Sequence, residues 1–192
     1  MRIISGTFKG RKLASLRGAA TRPTADRVRE SIFNILASDI EKASVLDLFA
    51  GTGALGLEAL SRGAANADFI DSSASAVKTI QKNITACRAE NCSRIIRWDI
   101  AKNIACLQAE VPAYDLVFMD PPYNKNYIVL TLEKLMKRDI LKNGATLIIE
   151  HSGAEAVPED LMGLHMADQR IYGKTLVSFL TVVLQKKIPG TH

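Results

Sequence analysis

No apolar run in this sequence approaches the roughly 20 residues that span a bilayer. Its start, MRIISGTFKGRKL, holds no continuous apolar stretch of the kind a secretion signal needs. Neither membrane insertion nor export is expected, and the chain reads as cytoplasmic. Cysteine is scarce: Cys87, Cys92 and Cys106 are odd in number and lack metal-ligand spacing. The three histidines, His151, His165 and His192, lie far from them. That pattern argues against a disulfide scaffold and against zinc, so reduced thiols and no metal are expected. No low-complexity tract and no repeat interrupts the chain.

What is present is ordinary globular material. The 192 residues are 47% hydrophobic and 23% charged, enough for one domain with a short appendage. The net charge of +5 is unevenly spread. Residues 1–30 carry Arg2, Lys9, Arg11, Lys12, Arg17, Arg22, Arg27 and Arg29 against Asp26 and Glu30. A basic arm on a near-neutral body points to a polyanionic partner.

Along the chain, Arg2–Leu13 reads as a small hairpin with turns at Gly6 and Gly10. A loop over Gly18–Arg22 leads to Pro23 and to Thr24, a candidate cap. A helix follows near Ala25–Ser38, with Val28, Ile32, Ile35 and Leu36 on one face. From Ser44 strands and helices alternate. Strands are expected at Val45–Phe49, Ala67–Asp71, Ser93–Trp98, Tyr114–Asp120 and Ala145–Glu150. Helices are expected at Ala54–Gly63, Ser75–Arg88, Ala101–Ala109 and Tyr127–Arg138. Leu164–Tyr172 and Leu176–Leu184 form a closing hairpin. Such alternation predicts a Rossmann-like α/β domain over residues 41–192. Its sheet is expected to be seven-stranded and mostly parallel, with an antiparallel C-terminal hairpin. A basic hairpin-and-helix appendage over residues 1–40 precedes it.

Ligands of open α/β sheets bind beyond the carboxyl ends of the strands. The segment D-L-F-A-G-T-G-A-L-G lies at such an end, with Gly51, Gly53 and Gly56 matching G-x-G-x-x-G. A dinucleotide site would show the same glycines. Asp47 distinguishes them: a carboxylate inside the strand before the loop suits the amino group of a methionine moiety and would repel a pyrophosphate. Asp71, ending the second strand, is placed to receive ribose hydroxyls, and Asp99, after the third, an adenine amine. Each acid alone also reads as a cap or a backbone acceptor; three at successive strand ends point to a nucleoside ligand.

Asp120-Pro121-Pro122-Tyr123 follows the fourth strand and should lie beside the glycine loop. Two prolines restrict the backbone and remove two N–H donors, leaving acceptors next to an aromatic wall. That suits the exocyclic amine of a base. Its lone pair is delocalised into the ring, so it must be oriented by acceptors on both N–H groups. Tyr123 is placed to stack on the base.

These residues resemble the class I, Rossmann-like methyltransferases, and specifically the RsmD family of bacterial 16S ribosomal RNA guanine-N2 methyltransferases. The resemblance runs through R-I-I-S-G-T-F-K-G-R-K-L (Arg2–Leu13), R-P-T-A-D-R-V-R-E-S-I-F-N-I-L (Arg22–Leu36) and V-L-D-L-F-A-G-T-G-A-L-G-L-E-A-L-S-R-G-A (Val45–Ala64). It ends with D-P-P-Y and Y-G-K-T (Tyr172–Thr175). It implies S-adenosylmethionine as methyl donor, with Asp47, Gly51 and Gly53 around its methionine part, Asp71 at the ribose and Asp99 at the adenine. Phe49, Ser72 and Ile100 complete that set. It also implies Asp120 to Tyr123 at the target guanine of 16S RNA or the small subunit; the charge of the arm makes Arg2, Lys9, Arg11, Lys12 and Arg22 the candidate RNA contacts. Asp71 stands where a glutamate is usual, and Ser72 and Ser73 where a more acidic stretch is expected. An amine methyltransferase acting on adenine-N6, in DNA or another RNA, would use the same tetrapeptide. An NAD-linked oxidoreductase would leave Asp47 and D-P-P-Y unexplained, and a non-catalytic RNA-binding protein would use the arm alone.

Overall fold

The computed structural model describes residues 1–16, 23–107, 114–123 and 125–184. One eight-stranded sheet organises them. In chain order its strands are β1 (Ser44–Leu48), β2 (Asn66–Asp71), β3 (Ser93–Arg97), β4 (Tyr114–Met119), β5 (Leu141–Ser152), β6 (Asp160–Leu161), β7 (Leu164–Tyr172) and β8 (Thr175–Val182). They lie side by side as β3-β2-β1-β4-β5-β8-β7-β6. The first five pair in parallel; β8, β7 and β6 add antiparallel. The mostly parallel sheet with an antiparallel C-terminal hairpin is as the sequence predicts, with the two-residue β6 as an eighth strand. Strand order reverses between β1 and β4, which places the ligand edge at their carboxyl ends.

Helices α1 (Pro23–Ile35), α2 (Ala54–Ser61), α3 (Ala74–Cys87) and α4 (Tyr127–Met136) complete the fold. Successive residues of a strand face opposite ways, so each central strand feeds two cores. Val45, Phe69, Phe118 and Ile148 pack with Ile32 and Phe33 of α1, with Leu36 just after it, and with Ile3 and Leu13 of the arm. Leu46, Ile70, Val117, Met119 and Ile149 pack instead with Ile128, Leu132 and Leu135 of α4. Coverage on both faces explains why the parallel strands read as unbroken apolar runs. Among the described residues no helix is long and apolar enough to cross a membrane.

Four local expectations change. The helix α1 starts at Pro23, whose missing N–H costs nothing in a first turn, so Thr24 lies inside the helix instead of capping it. The buried stripe of α1 runs through Val28, Ile32 and Phe33 and on to Leu36 in the turn after it, while Ile35 is 40% exposed at its margin. The arm is closed by a single antiparallel bridge, Arg2 to Lys12, and not by a ladder of strands. Residues 101–107 form turns where a helix was expected. There the Asn103 side chain accepts the Ala105 amide at 3.0 Å and the Trp98 indole at 3.2 Å, competing with helical hydrogen bonding. The rest of that expected helix lies outside the described residues.

Candidate active site

The chain leaves β1 at Leu48 and turns through Phe49–Gly53 into α2. Phe49, Gly51 and Gly53 all take positive φ, at 58°, 56° and 74°. For Phe49 that conformation is costly. Its ring stacks on Tyr127 at the start of α4, with centroids 6.1 Å apart and planes 8° from parallel. Gly56 lies in the first turn of α2, where an added Cβ would fall 2.4 Å from the Phe69 ring. Only glycine lets that helix settle on β2.

Three side chains hold the loop in place. Asp47 is buried and accepts the Gly56 amide at 3.0 Å. Burial pushes its carboxyl up to about 8; the Gly56 bond opposes this, and the charge of Asp71 adds to it. Asp71 accepts the Gly51 amide on one oxygen and the Ser73 amide on the other, both at 2.8 Å. Asn83 of α3 donates to the carbonyls of Thr52 at 2.8 Å and Ala14 at 3.1 Å, and accepts the Ala14 amide at 2.7 Å. The glycine loop and the arm are thus fastened by one buried amide.

A cleft of about 270 Å³ opens over the loop, lined among others by Asp47, Phe49, Gly51, Asp120, Glu150 and Arg29. Asp120 directly follows β4 and is exposed toward the cleft, with protein around its other sides. Burial raises its pKa, and the charges of Glu150 and Asp47 raise it further. Pro121 is buried, while Pro122 and Tyr123 are exposed. The Tyr123 hydroxyl donates to Glu150 at 3.2 Å. Beyond the tetrapeptide, the Asn126 amide donates to Glu155 at 3.1 Å, and buried His151 sits 2.9 Å from the Glu155 carbonyl. The end of this loop is therefore anchored to the chain that follows β5.

A second, broader cavity of about 540 Å³ lies beside the ends of β2 and β3, lined by Ser72, Arg97, Trp98, Asp99, Lys102 and Asn103. Asp71 bonds Gly51, which lines the first cavity, and Ser73, which follows Ser72 of the second. Together their acids offer a donor set suited to a ligand that carries a cationic end and a nucleoside end.

The predicted site residues are thus distributed as follows. Asp47, Phe49, Gly51 and Asp120 share one cleft, with Gly53 behind it against Phe69 and Ile80. Ser72 and Asp99 share the second cavity. Ile100 is buried in the core with Leu46 and Ile70. Arg2 and Lys9 line a third cavity with Arg27, Asp26 and Glu30. Lys12 is exposed, and Arg11 bonds the Ala86 carbonyl of α3. Arg22 lies outside the described residues. Four polar residues in or behind the site escaped the sequence reading: Arg29, Glu58, Asn83 and Glu150. Glu58 of α2 is wholly buried and accepts the amides of Ile4 at 2.8 Å and Ser5 at 3.0 Å, together with Arg62 at 2.9 Å. The Arg29 guanidinium reaches the Arg2 carbonyl at 2.6 Å and Asp26 at 3.1 Å. Tyr172 of the Y-G-K-T turn meets Ser31 of α1 through their hydroxyls.

Comparison with known proteins gives a consistent picture. A family model described as conserved hypothetical protein 95 matches residues 1–181. The ribosomal RNA small subunit methyltransferase D of Escherichia coli K12 is 38% identical over 158 residues, covering 82% of this chain and 78% of that one. YlbH of Bacillus subtilis is 34% identical over 178 residues, covering 93% and 97%. Among solved structures, Escherichia coli yhhF superposes with a TM-score of 0.83 at 32% identity, covering 96% of this chain and 99% of that one.

Proposed function

The chain belongs to the RsmD family of methyltransferases, and from that premise we propose that it methylates the exocyclic N2 amine of a guanine in 16S ribosomal RNA, with S-adenosylmethionine as the donor. The observation that carries this reading is the meeting of Asp120 with Asp47 and Gly51 in one cleft. A base-amine pocket and a loop fit for a methionine moiety then share a wall. The name of the Escherichia coli relative supports ribosomal RNA of the small subunit as substrate.

When bound, S-adenosylmethionine supplies a methyl group already activated by its sulfonium. The acids fit it: Asp47 faces a cleft that would hold the ammonium, while Asp71 and Asp99 flank the nucleoside side. Around the target base, the Asp120 carboxylate and a carbonyl of the proline segment accept the two amine N–H groups. That aims the nitrogen lone pair and favours the positive charge that grows on nitrogen. The exposed ring of Tyr123 offers the stacking face. The arm, with Arg2, Lys9 and Lys12 exposed, would hold phosphates.

The test is transfer of labelled methyl groups onto naked 16S RNA, small subunits and DNA, followed by nucleoside analysis. N2-methylguanosine in the RNA or the particle is the expected product. N6-methyladenine in any of the three would move the assignment to adenine. Absence of transfer to all three would reduce the protein to a binding role.

A further inference from the structure

Four ionisable side chains line the cleft, and a fifth, Tyr123, bonds one of them. Asp47 comes from β1, Asp120 from the end of β4, Glu150 from β5, Tyr123 from the tetrapeptide and Arg29 from α1. Methyl transfer as described uses Asp120, leaves Glu150 without a role and leaves one proton unaccounted for. The register of the sheet bears on both. Met119 pairs with Ile149, so the next rung is Asp120 beside Glu150. Two carboxyls therefore stand side by side, Asp120 just past the end of β4 and Glu150 within β5, two residues before its end, at the edge where the amine would sit.

We infer that Asp120 and Glu150 act as one proton-accepting pair, with Glu150 the positioning residue that tightens the hold of Asp120 on the proton leaving the methylated amine. This rests on the amine-methylation reading above. The balance is simple. The amine nitrogen bonds the methyl carbon, the carbon–sulfur pair stays on sulfur, and the nitrogen must shed one N–H proton. Asp120, already accepting that N–H, takes the proton and becomes neutral; Glu150 stays charged, and the pair keeps one negative charge. Solvent recovers the proton through the exposed side of Asp120.

An ordinary aspartate, ionising near pH 4, is a poor acceptor at neutral pH. Here burial raises the proton affinity of Asp120, and Glu150 is the largest charge contribution after it. Glu150 also needs to stay ionised for this to work. Burial pushes its own pKa up, and the Tyr123 hydroxyl opposes that by donating to it. Among the described residues no cation is paired with either carboxylate. The guanidinium of Arg29 is taken up by Asp26 and the Arg2 carbonyl, with Glu58 at 3.8 Å. Asp47, once ionised, adds negative charge from the third side.

Two near-isosteric variants test the pair in the full chain, Glu150→Gln and Tyr123→Phe. Carboxyl carbon NMR on the unliganded protein should show Asp120 titrating at lower pH in Glu150→Gln, and shifted the same way, by less, in Tyr123→Phe. In single-turnover methylation of whichever nucleic acid accepts the labelled methyl group, the acid limb of the rate profile should move to lower pH. The plateau should fall roughly tenfold, short of the 10²–10⁴ that outright loss of a proton acceptor costs. Affinity for S-adenosylhomocysteine should be unchanged. If wild type methylates but Glu150→Gln keeps the wild-type Asp120 titration, limb and plateau, the pair is overturned while the function stands. If wild type methylates no base amine, the functional reading itself fails, and the pair with it.

Discussion

Asp71 spends both of its carboxylate oxygens on backbone, accepting Gly51 from the glycine loop and Ser73 from the start of α3. The residue expected to bind a ribose therefore also holds the loop that would bind the methionine part. Each oxygen keeps a second lone pair for a ligand hydroxyl.

Asp71→Asn leaves a single acceptor oxygen for two amides, and Asp71→Ala leaves none. Either should loosen the loop and weaken S-adenosylhomocysteine binding. A stranded amide costs about 1–3 kcal/mol, on the order of ten- to a hundredfold in affinity. Calorimetry should rank alanine as worse than asparagine, with RNA affinity much less affected. Equal affinity in all three proteins would remove Asp71 from the site.

An ammonium bound on Asp47 would make cofactor binding a proton-linked event. Its carboxyl, at about 8 in the folded protein against an ordinary value of 3.8, is mostly protonated at pH 7. A group whose pKa is raised by folding stabilises most below its unfolded value, and that contribution is lost as pH rises through the folded value. The unliganded protein should therefore lose thermal stability between about pH 4 and pH 8, and Asp47→Asn should flatten that slope. An ammonium placed on Asp47 demands its ionised form. Binding of S-adenosylhomocysteine at pH 7 should release close to one proton, seen as a buffer-dependent calorimetric heat, and Asp47→Asn should release none.

Asp120→Ala should stop methyl transfer while leaving cofactor affinity nearly intact. Removing a contact formed in the transition state costs on the order of 10²–10³ in rate. Single-turnover methylation with labelled donor measures it, and near-normal turnover would take Asp120 out of the mechanism.

The basic arm divides in two. Lys9 and Lys12 are exposed, but Arg11 is already bonded to the Ala86 carbonyl. Each phosphate contact adds about 0.7–0.9 to the slope of log K against log salt. Replacing Lys9 and Lys12 with alanine should flatten that slope by up to about twice this amount, for any RNA sequence. Replacing Arg11 should change it little and lower the melting temperature instead. RNA binding at several salt concentrations would show a wild-type slope in the double variant if the arm carries no RNA.

Features written within a few consecutive residues were legible in the sequence. The glycine loop with Asp47, the acids ending β2 and following β3, and the tetrapeptide after β4 all follow from strand ends and turn chemistry. The same reasoning extends to Glu150, because ATLIIE ends in an acid as the other strands do. Features that need a distant partner were not legible. Asn83 sits in a helix that reads as ordinary, and its partners are 31 and 69 residues away. Arg11 looks in sequence like Lys9 and Lys12; only folding brings Ala86 to it. The turns at residues 101–107 were missed because one asparagine side chain outcompetes an otherwise helical pattern.

The clasp between the arm and α2 sets an order of events on a growing chain. Ile4, Ser5, Thr7 and Phe8 give their amides to Glu58 and Ser61, 53 or 54 residues further on. Until that helix exists, those four groups have only water to bond. Closing a loop of this length forfeits chain entropy before any contact repays it. The arm, synthesised first, therefore docks late, and its four amides should exchange with deuterium as a group, at a rate set by the release of α2.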